Sequence, residues 1–254
     1  MKLRIPALVG AVALGSSLLF ASIGSVGAVT TTGPSGKGIC AVEQAAVKAG
    51  ASVEKLQAFG NCEINRRFAT LTALSAKITS SKVMTSAHAA TVQSEISSTR
   101  DGLTALKATI DAETGIPALR VDITKIATQF RVYLLVVPQV NLTNASDGVL
   151  ASQSKFATIN TNLAARIAAA KAAGKDTSAA QTDLDAMNAA DAAAVALASP
   201  LPGKLLPLTP ADYNGGTAGP VITAARADLA KAVADVKAAV ADAKACRAAL
   251  KALK

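Results

Sequence analysis

The sequence predicts an all-α fold, an elongated up-and-down antiparallel helical bundle with coiled-coil-like hairpins. Apolar residues recur at spacings of three and four through five long segments, which places them along one narrow stripe of each helix. Alanine, the strongest helix former, occupies 58 of 254 positions, and only 3 % of residues are aromatic. Alanine is depleted in strands and aromatic residues are enriched there, so this composition disfavours a β fold. Short connections between the segments make consecutive helices antiparallel neighbours.

The N-terminal 28 residues predict a signal peptide. Lys2 and Arg4 form a basic start, an apolar stretch runs from Ile5 to Val26, and Val26-Gly27-Ala28 resembles a cleavage site. The alternative is that these residues are not cleaved and remain as an N-terminal membrane anchor. Residues 29–38, rich in Thr and Gly, predict a flexible tail. We therefore expect a secreted or envelope-associated chain, with no transmembrane segment after signal cleavage, because every later apolar run is too short to span a bilayer.

Residues 39–198 predict the helical bundle. Two short helices are expected at 39–49 and 52–59, with Gly60 ending the second and Asn61 capping the next. The long helices are then predicted at 62–82, 86–113, 117–137, a segment running to Ala173, and 177–198. Pro138 is expected to end or kink the third of them. The apolar run Val132 to Val137 is interpreted as a helix segment buried in the bundle, the alternative being the hidden tongue of a pore-forming protein.

The C-terminal part is predicted as a Pro/Gly-rich loop at 199–219 and a helix at 220–254 that packs on the bundle. Core positions beyond about residue 160 are mostly alanine and bury less area each, so this part is expected to be less stable. A docked last helix is the preferred interpretation. In the alternative the helix detaches from its long connection and exposes an apolar seam of Leu229, Val233, Val236 and Val240.

Three stretches carry a resemblance to known proteins. They are CEINRRFATLTAL at 62–74, RVYLLVVPQ at 131–139 and LTPADYN at 208–214. The chain resembles a group of secreted, alanine-rich, all-helical bacterial proteins to which no activity is assigned. The resemblance implies a shared helical fold and implies no function.

The three cysteines predict a disulfide, since the chain is expected to be exported. Cys40 and Cys62 are near in sequence and form the preferred pair. Counting antiparallel turns places Cys62 and Cys246 at the same end of the bundle, so that pair is the alternative. A zinc site is not expected, because these cysteines and the single histidine lack the spacing of zinc ligands.

Enzymatic chemistry is not expected, and neither is a cofactor. His88, the only histidine, has no local nucleophile or metal-binding motif and is interpreted as a surface helix residue. Tyr213 and Asn214 lie in the long predicted loop and are the candidate recognition residues, since loops of that length are often functional.

The charge pattern limits the classes of partner that the protein is expected to bind. The formal net charge is +9, but the charges occur in ones and twos without a basic run, which disfavours nucleic-acid binding. The excess favours anionic cell-wall polymers, and helix faces offer packing surfaces for another protein. The sequence therefore predicts an exported, non-enzymatic structural or interaction protein. The alternative is a lipid-binding or membrane-perturbing amphipathic helical protein.

Overall fold

The computed structural model describes residues 38–253, which form helices and no β-strand. The all-α prediction is confirmed. The elements, in order, are α1 (Ala41–Ala49), α2 (Val53–Ser80), α3 (Ser86–Ala112), α4 (Ile116–Thr128), a π-helical segment (Val132–Val136), α5 (Val137–Ala172), α6 (Ser178–Ala198), α7 (Leu201–Leu205), α8 (Pro210–Asn214) and α9 (Ala218–Ala252). The predicted signal peptide 1–28 and the tail 29–38, except Gly38, lie outside the described residues.

Helix α2 is one continuous helix, so the predicted stop at Gly60 and cap at Asn61 are wrong. The helix begins after Ser52, whose hydroxyl accepts a hydrogen bond from the Lys55 amide at 3.3 Å. Gly60 is buried inside it, and a Cβ there would lie 3.3 Å from side-chain atoms of Ile110 and Ile123. The glycine therefore permits close approach of the neighbouring helices and does not terminate α2.

The third predicted helix breaks seven residues before Pro138. Arg131 adopts the left-handed conformation, with φ 43° and ψ 33°, between α4 and the π-helical segment. Pro138 instead lies in the first turn of α5, at the point where the π-helical segment passes directly into the α-helix. Val132, Leu135 and Val136 are buried, but Leu134 is 48 % exposed, so the apolar run is buried on one side and not on all sides as predicted.

The connection 199–219 is not a plain loop. Its prolines start short helices: Pro202 lies in the first turn of α7, and Pro210 in the first turn of α8. The Thr209 side chain and Asp212 form a reciprocal capping box at the start of α8. Helix α9 then begins at Ala218, two residues before the predicted boundary.

The buried apolar side chains form two cores. The first joins α2, α3, α4, the π-helical segment and the start of α5. The second joins the rest of α5 with α6, α7 and α9, and many of its members are alanines. Helix α5 passes through both cores, so residues at its start are positioned where the two cores meet. No helix within residues 38–253 is long and apolar enough to cross a bilayer.

Candidate functional site

Cys40 and Cys62 form a disulfide with their Cα atoms 5.9 Å apart, which confirms the preferred pairing. The alternative Cys62–Cys246 is wrong, since Cys246 is a free, buried thiol in the second core. Burial raises the pKa of the Cys246 thiol, which keeps it protonated and unreactive. The Glu43 carboxylate lies near the two bonded sulfurs, but a disulfide supplies no thiolate ligand, so this group does not form a metal site while it is oxidised.

Tyr213 and Asn214 both make contacts with other residues of the chain. The Asn214 Oδ1 accepts hydrogen bonds from the Arg131 guanidinium, with Nε at 2.7 Å, and its Nδ2 donates to the Thr128 carbonyl at 2.9 Å. The Arg131 guanidinium also lies 5.1 Å from the centre of the Tyr213 ring. These two residues therefore hold the left-handed break after α4, and their predicted role in recognition stays a prediction.

A second aromatic–arginine cluster lies between α2 and the π-helical segment. The guanidinium carbons of Arg66 and Arg67 lie 4.7 and 5.2 Å from the centre of the Tyr133 ring. The Glu63 carboxylate accepts from both arginines, at 2.7 and 2.6 Å. Arg67 is only 6 % exposed, so the ring and the carboxylate together compensate a buried charge. The cluster joins two of the stretches that carry the resemblance, 62–74 and 131–139.

His88 has a buried partner, which sequence reasoning missed. Its Nδ1 lies 2.9 Å from both carboxylate oxygens of Asp147, a residue of α5 that is 2 % exposed. Asp147 also accepts a hydrogen bond from the Thr85 amide at 2.9 Å. No hydroxyl or thiol within residues 38–253 hydrogen-bonds the imidazole, so the pair lacks the nucleophile of a catalytic triad. The available signal is that Asp147 is the one acidic residue of α5.

A groove of about 580 Å³ lies between α3, the start of α5 and the end of α7. Its lining combines valine and leucine side chains with hydroxyls, one carboxylate and one amide. The lining residues are Ala90, Thr91, Val92, Ser94, Glu95, Ser98, Val136, Gln139, Val140 and Leu206. Thr91 and Glu95 follow His88 along α3 by about one and two turns. The groove thus continues the interface between α3 and α5 that the His88–Asp147 pair begins.

Gln139 is the most constrained polar group of this groove. It is 3 % exposed, and its Nε2 donates to the carbonyls of Leu205 and Leu208, each at 2.9 Å. Its Oε1 is buried and has no hydrogen-bond partner among the described residues. The reversed amide would place an oxygen against two carbonyl oxygens, so the orientation of the amide is fixed and Oε1 is a buried acceptor without a donor.

One end of the second core carries an excess of cations. Asp183, Arg166 and Arg247 all act electrostatically on Cys246, which brings together the end of α5, the start of α6 and the end of α9. Six cations lie in these segments: Arg166, Lys171, Lys175, Lys244, Arg247 and Lys251. The acids there are Asp176, Asp183, Asp185 and Asp242. None of the six cations belongs to an ion pair within the described part of the chain. We call this region the cationic tip.

Comparisons of the chain with protein-family models, curated proteins and solved structures found no match. The resemblance stated from the three stretches therefore stays a prediction.

Proposed function

We propose that the protein is an exported, non-enzymatic interaction protein that binds anionic cell-wall polymers. The cationic tip is the observation that supports this best. Within residues 38–253 its cations form no ion pairs, and all except Arg247 are exposed, so they are available to an external polyanion.

Two further observations support this proposal. The Cys40–Cys62 disulfide is suited to an oxidising compartment outside the cytoplasm. The His88–Asp147 pair lacks a nucleophile within residues 38–253, which favours binding over hydrolysis. The cations at the tip come from α5, α9 and the connection between α5 and α6, and the second core holds these segments together.

Co-sedimentation of the full chain with isolated cell walls tests the proposal. We expect binding at low ionic strength that weakens as salt is added, since exposed charges are screened over about 10 Å at 0.1 M salt. Absence of binding at low ionic strength would contradict the proposal. Binding that does not respond to salt would contradict the electrostatic basis.

Two variants with the same change in net charge test whether the cationic tip is the surface that binds the polymer. The tip variant carries Arg166→Gln, Lys175→Gln and Lys244→Gln, all at exposed positions. The control carries Lys48→Gln, Lys82→Gln and Lys204→Gln, also exposed and outside the tip. We expect the tip variant to bind about tenfold more weakly or worse, given about 1 kcal/mol per cation near an anionic surface. Equal weakening by the control would assign the effect to net charge alone.

Adding anionic liposomes to the full chain tests the lipid-binding alternative. The exposed large apolar residues in the described part of the chain are few and mostly far apart in sequence: Ile39, Val42, Val83, Val121 and Leu134. We therefore expect neither dye leakage nor a change in helicity when liposomes are added. Leakage at micromolar protein would favour the membrane-perturbing function instead.

A further inference from the structure

The Cys40–Cys62 disulfide lies beside a carboxylate that has no other partner. Cys40 is the N-cap residue of α1 and Glu43 follows it by three positions, a spacing at which side chains of the first turn meet. One carboxylate oxygen of Glu43 lies within 4.8 Å of both sulfurs. The Glu43 Oε2 is buried and has no hydrogen-bond partner among the described residues, and no cation there forms an ion pair with Glu43. The carboxylate therefore lies at the sulfurs without binding another group.

These three side chains match the ligands and the distances of a zinc site once the sulfurs are reduced. Zn²⁺ is bound by cysteine thiolates at about 2.3 Å and by carboxylate oxygens at about 2.0–2.2 Å, so tetrahedral ligand atoms lie about 3.5–3.8 Å apart. The observed limit of 4.8 Å and the Cα–Cα distance of 5.9 Å allow this spacing. Two sulfur ligands favour Zn²⁺ over Mg²⁺ and Ca²⁺, which prefer oxygen. Three protein ligands leave the fourth position to water.

A metal ion reaches these ligands when the disulfide is open. Cys40 is 6 % exposed, while Glu43 and Cys62 are half-buried. No residue of α1 is buried, and Val47 is the α1 side chain that packs against the first core. Without the covalent link, local opening of α1 therefore costs little free energy and uncovers the sulfurs.

We propose that Cys40, Cys62 and Glu43 of the reduced chain bind one Zn²⁺ ion, which replaces the disulfide as the link between α1 and α2. A dithiol reductant supplies the two electrons and two protons that convert the disulfide into two thiols, and it is itself oxidised to a disulfide. Zn²⁺ then displaces the two thiol protons into solvent and forms two zinc–sulfur bonds. The oxidised dithiol reverses the exchange and releases the ion, so the disulfide and the zinc site are alternative states of the same two sulfurs.

Titration of the full chain with Co²⁺ and then Zn²⁺ tests the proposal. The chain is first reduced with dithiothreitol, which is removed under argon because it binds metal ions. We expect one equivalent of Co²⁺ to give a thiolate-to-cobalt charge-transfer band and the visible bands of a tetrahedral site, and one equivalent of Zn²⁺ to abolish them. Mg²⁺ should leave the cobalt spectrum unchanged. No band in the reduced chain, or equal bands in the oxidised chain, would overturn the proposal.

Three substitutions assign the ligands. Cys246→Ala removes the remaining thiol and should leave Co²⁺ binding unchanged. For Glu43→Gln we expect at least about tenfold weaker Zn²⁺ binding, since loss of a group that only supports a zinc ligand already costs about 10–100-fold. Glu54→Gln makes the same change at an exposed position in the first turn of α2 and should have no effect. Loss of the bands in Cys246→Ala, or unchanged affinity in Glu43→Gln, would overturn the assigned ligands.

Amide hydrogen exchange over Ala41–Ala49 tests whether the ion links the two helices. Cys40 directly precedes α1 and Cys62 lies in α2, so exchange in α1 should be fast in the reduced, metal-free chain and slow again with Zn²⁺. Cys40→Ser with Cys62→Ser should show fast exchange with or without Zn²⁺. Zn²⁺ binding that leaves α1 exchange fast would refute the link. The tip variant should bind Zn²⁺ like the unmodified chain, so this result is independent of cell-wall binding.

Discussion

Buried polar side chains are concentrated in the first half of α5. Gln139, Thr143, Ser146 and Asp147 are each at most 3 % exposed. Ser146 donates to the carbonyl of Ala198 at 2.8 Å, while Gln139 and Asp147 bond to α7 and to the start of α3. These partners lie more than 50 positions away, so a sequence shows the polar residue and not what it contacts. This is why the His88–Asp147 pair and the groove could not be predicted.

Gly102 and Gly148 are both helical, but their surroundings differ. A Cβ at Gly102 would overlap the Phe130 ring, whereas a Cβ at Gly148 would make an ordinary contact, 3.7 Å from Val83. We expect Gly148→Ala to raise the free energy of unfolding by about 0.5–1 kcal/mol through helix propensity. Gly102→Ala should lower it by about 1 kcal/mol, since overpacking outweighs that gain. Urea denaturation of both variants measures this, and equal stabilisation would contradict the predicted clash.

Asp191 destabilises the folded chain at neutral pH. Burial raises the pKa of this carboxyl, and its Oδ1 has no hydrogen-bond partner among the described residues. A raised pKa in the folded state means that folding favours the protonated form. The penalty is therefore present at neutral pH and disappears as pH falls below the usual aspartate range, near 4.

The corresponding variant is Asp191→Asn. We expect it to raise the free energy of unfolding by about 1 kcal/mol at pH 7, and the gain to shrink towards pH 4. Asp185→Asn changes the net charge equally at an exposed α6 position and should give no gain. Thermal unfolding across this pH range measures the difference. A gain that does not change with pH would refute the role assigned to burial.

At the scale of elements, the existence of helices could be predicted and several of their ends could not. The seam of α3 is confirmed residue by residue, since its 4-3-4-3-4 positions are all buried: Val92, Ile96, Thr99, Leu103, Leu106 and Ile110. The local preferences of Gly60 and Pro138 predict a helix stop and a helix end or kink. The structure uses the first for close helix packing and places the second where the π-helical segment passes into α5. The break at Arg131 depends on Asn214, 83 positions away, which a local pattern cannot show.

Helix α1 depends on the disulfide more than on packing. None of its own residues is buried, while Cys40, directly before it, is 6 % exposed and bonded to Cys62 of α2. We expect Cys40→Ser with Cys62→Ser to lower the free energy of unfolding by about 3 kcal/mol in the loop-entropy model. Amide hydrogen exchange over Ala41–Ala49 should rise towards that of an unfolded segment.

The free cysteine provides the control for this experiment. Cys246→Ala leaves the disulfide intact, so exchange in α1 should not change and reducing agent should still destabilise the protein. Reducing agent should have no effect on the double serine variant. Full protection of α1 in that variant would show that packing holds the helix without the disulfide.

At the scale of the whole molecule, the two cores differ in the size of their side chains. Leucine and isoleucine dominate the first, whereas α9 contributes Ala225, Ala232, Ala239 and Ala243 to the second. The sequence predicted this gradient from composition, but it did not predict that α5 would pass through both cores. The candidate groove lies at that junction, formed by parts of the chain that a linear reading assigns to different regions.

The difference in core composition predicts that the second core opens first. Alanines bury less apolar area per turn, so local opening of α6 and α9 should cost less free energy than opening of α3. We expect faster hydrogen exchange at 225–245 than at 92–112 under native conditions. Val236→Ala, in the buried seam of α9, should lower the opening free energy of α6 and α9 together by about 2 kcal/mol and leave α3 nearly unchanged. Equal protection of both ranges would show that the helices open only when the whole chain unfolds, and would refute a detachable C-terminal helix.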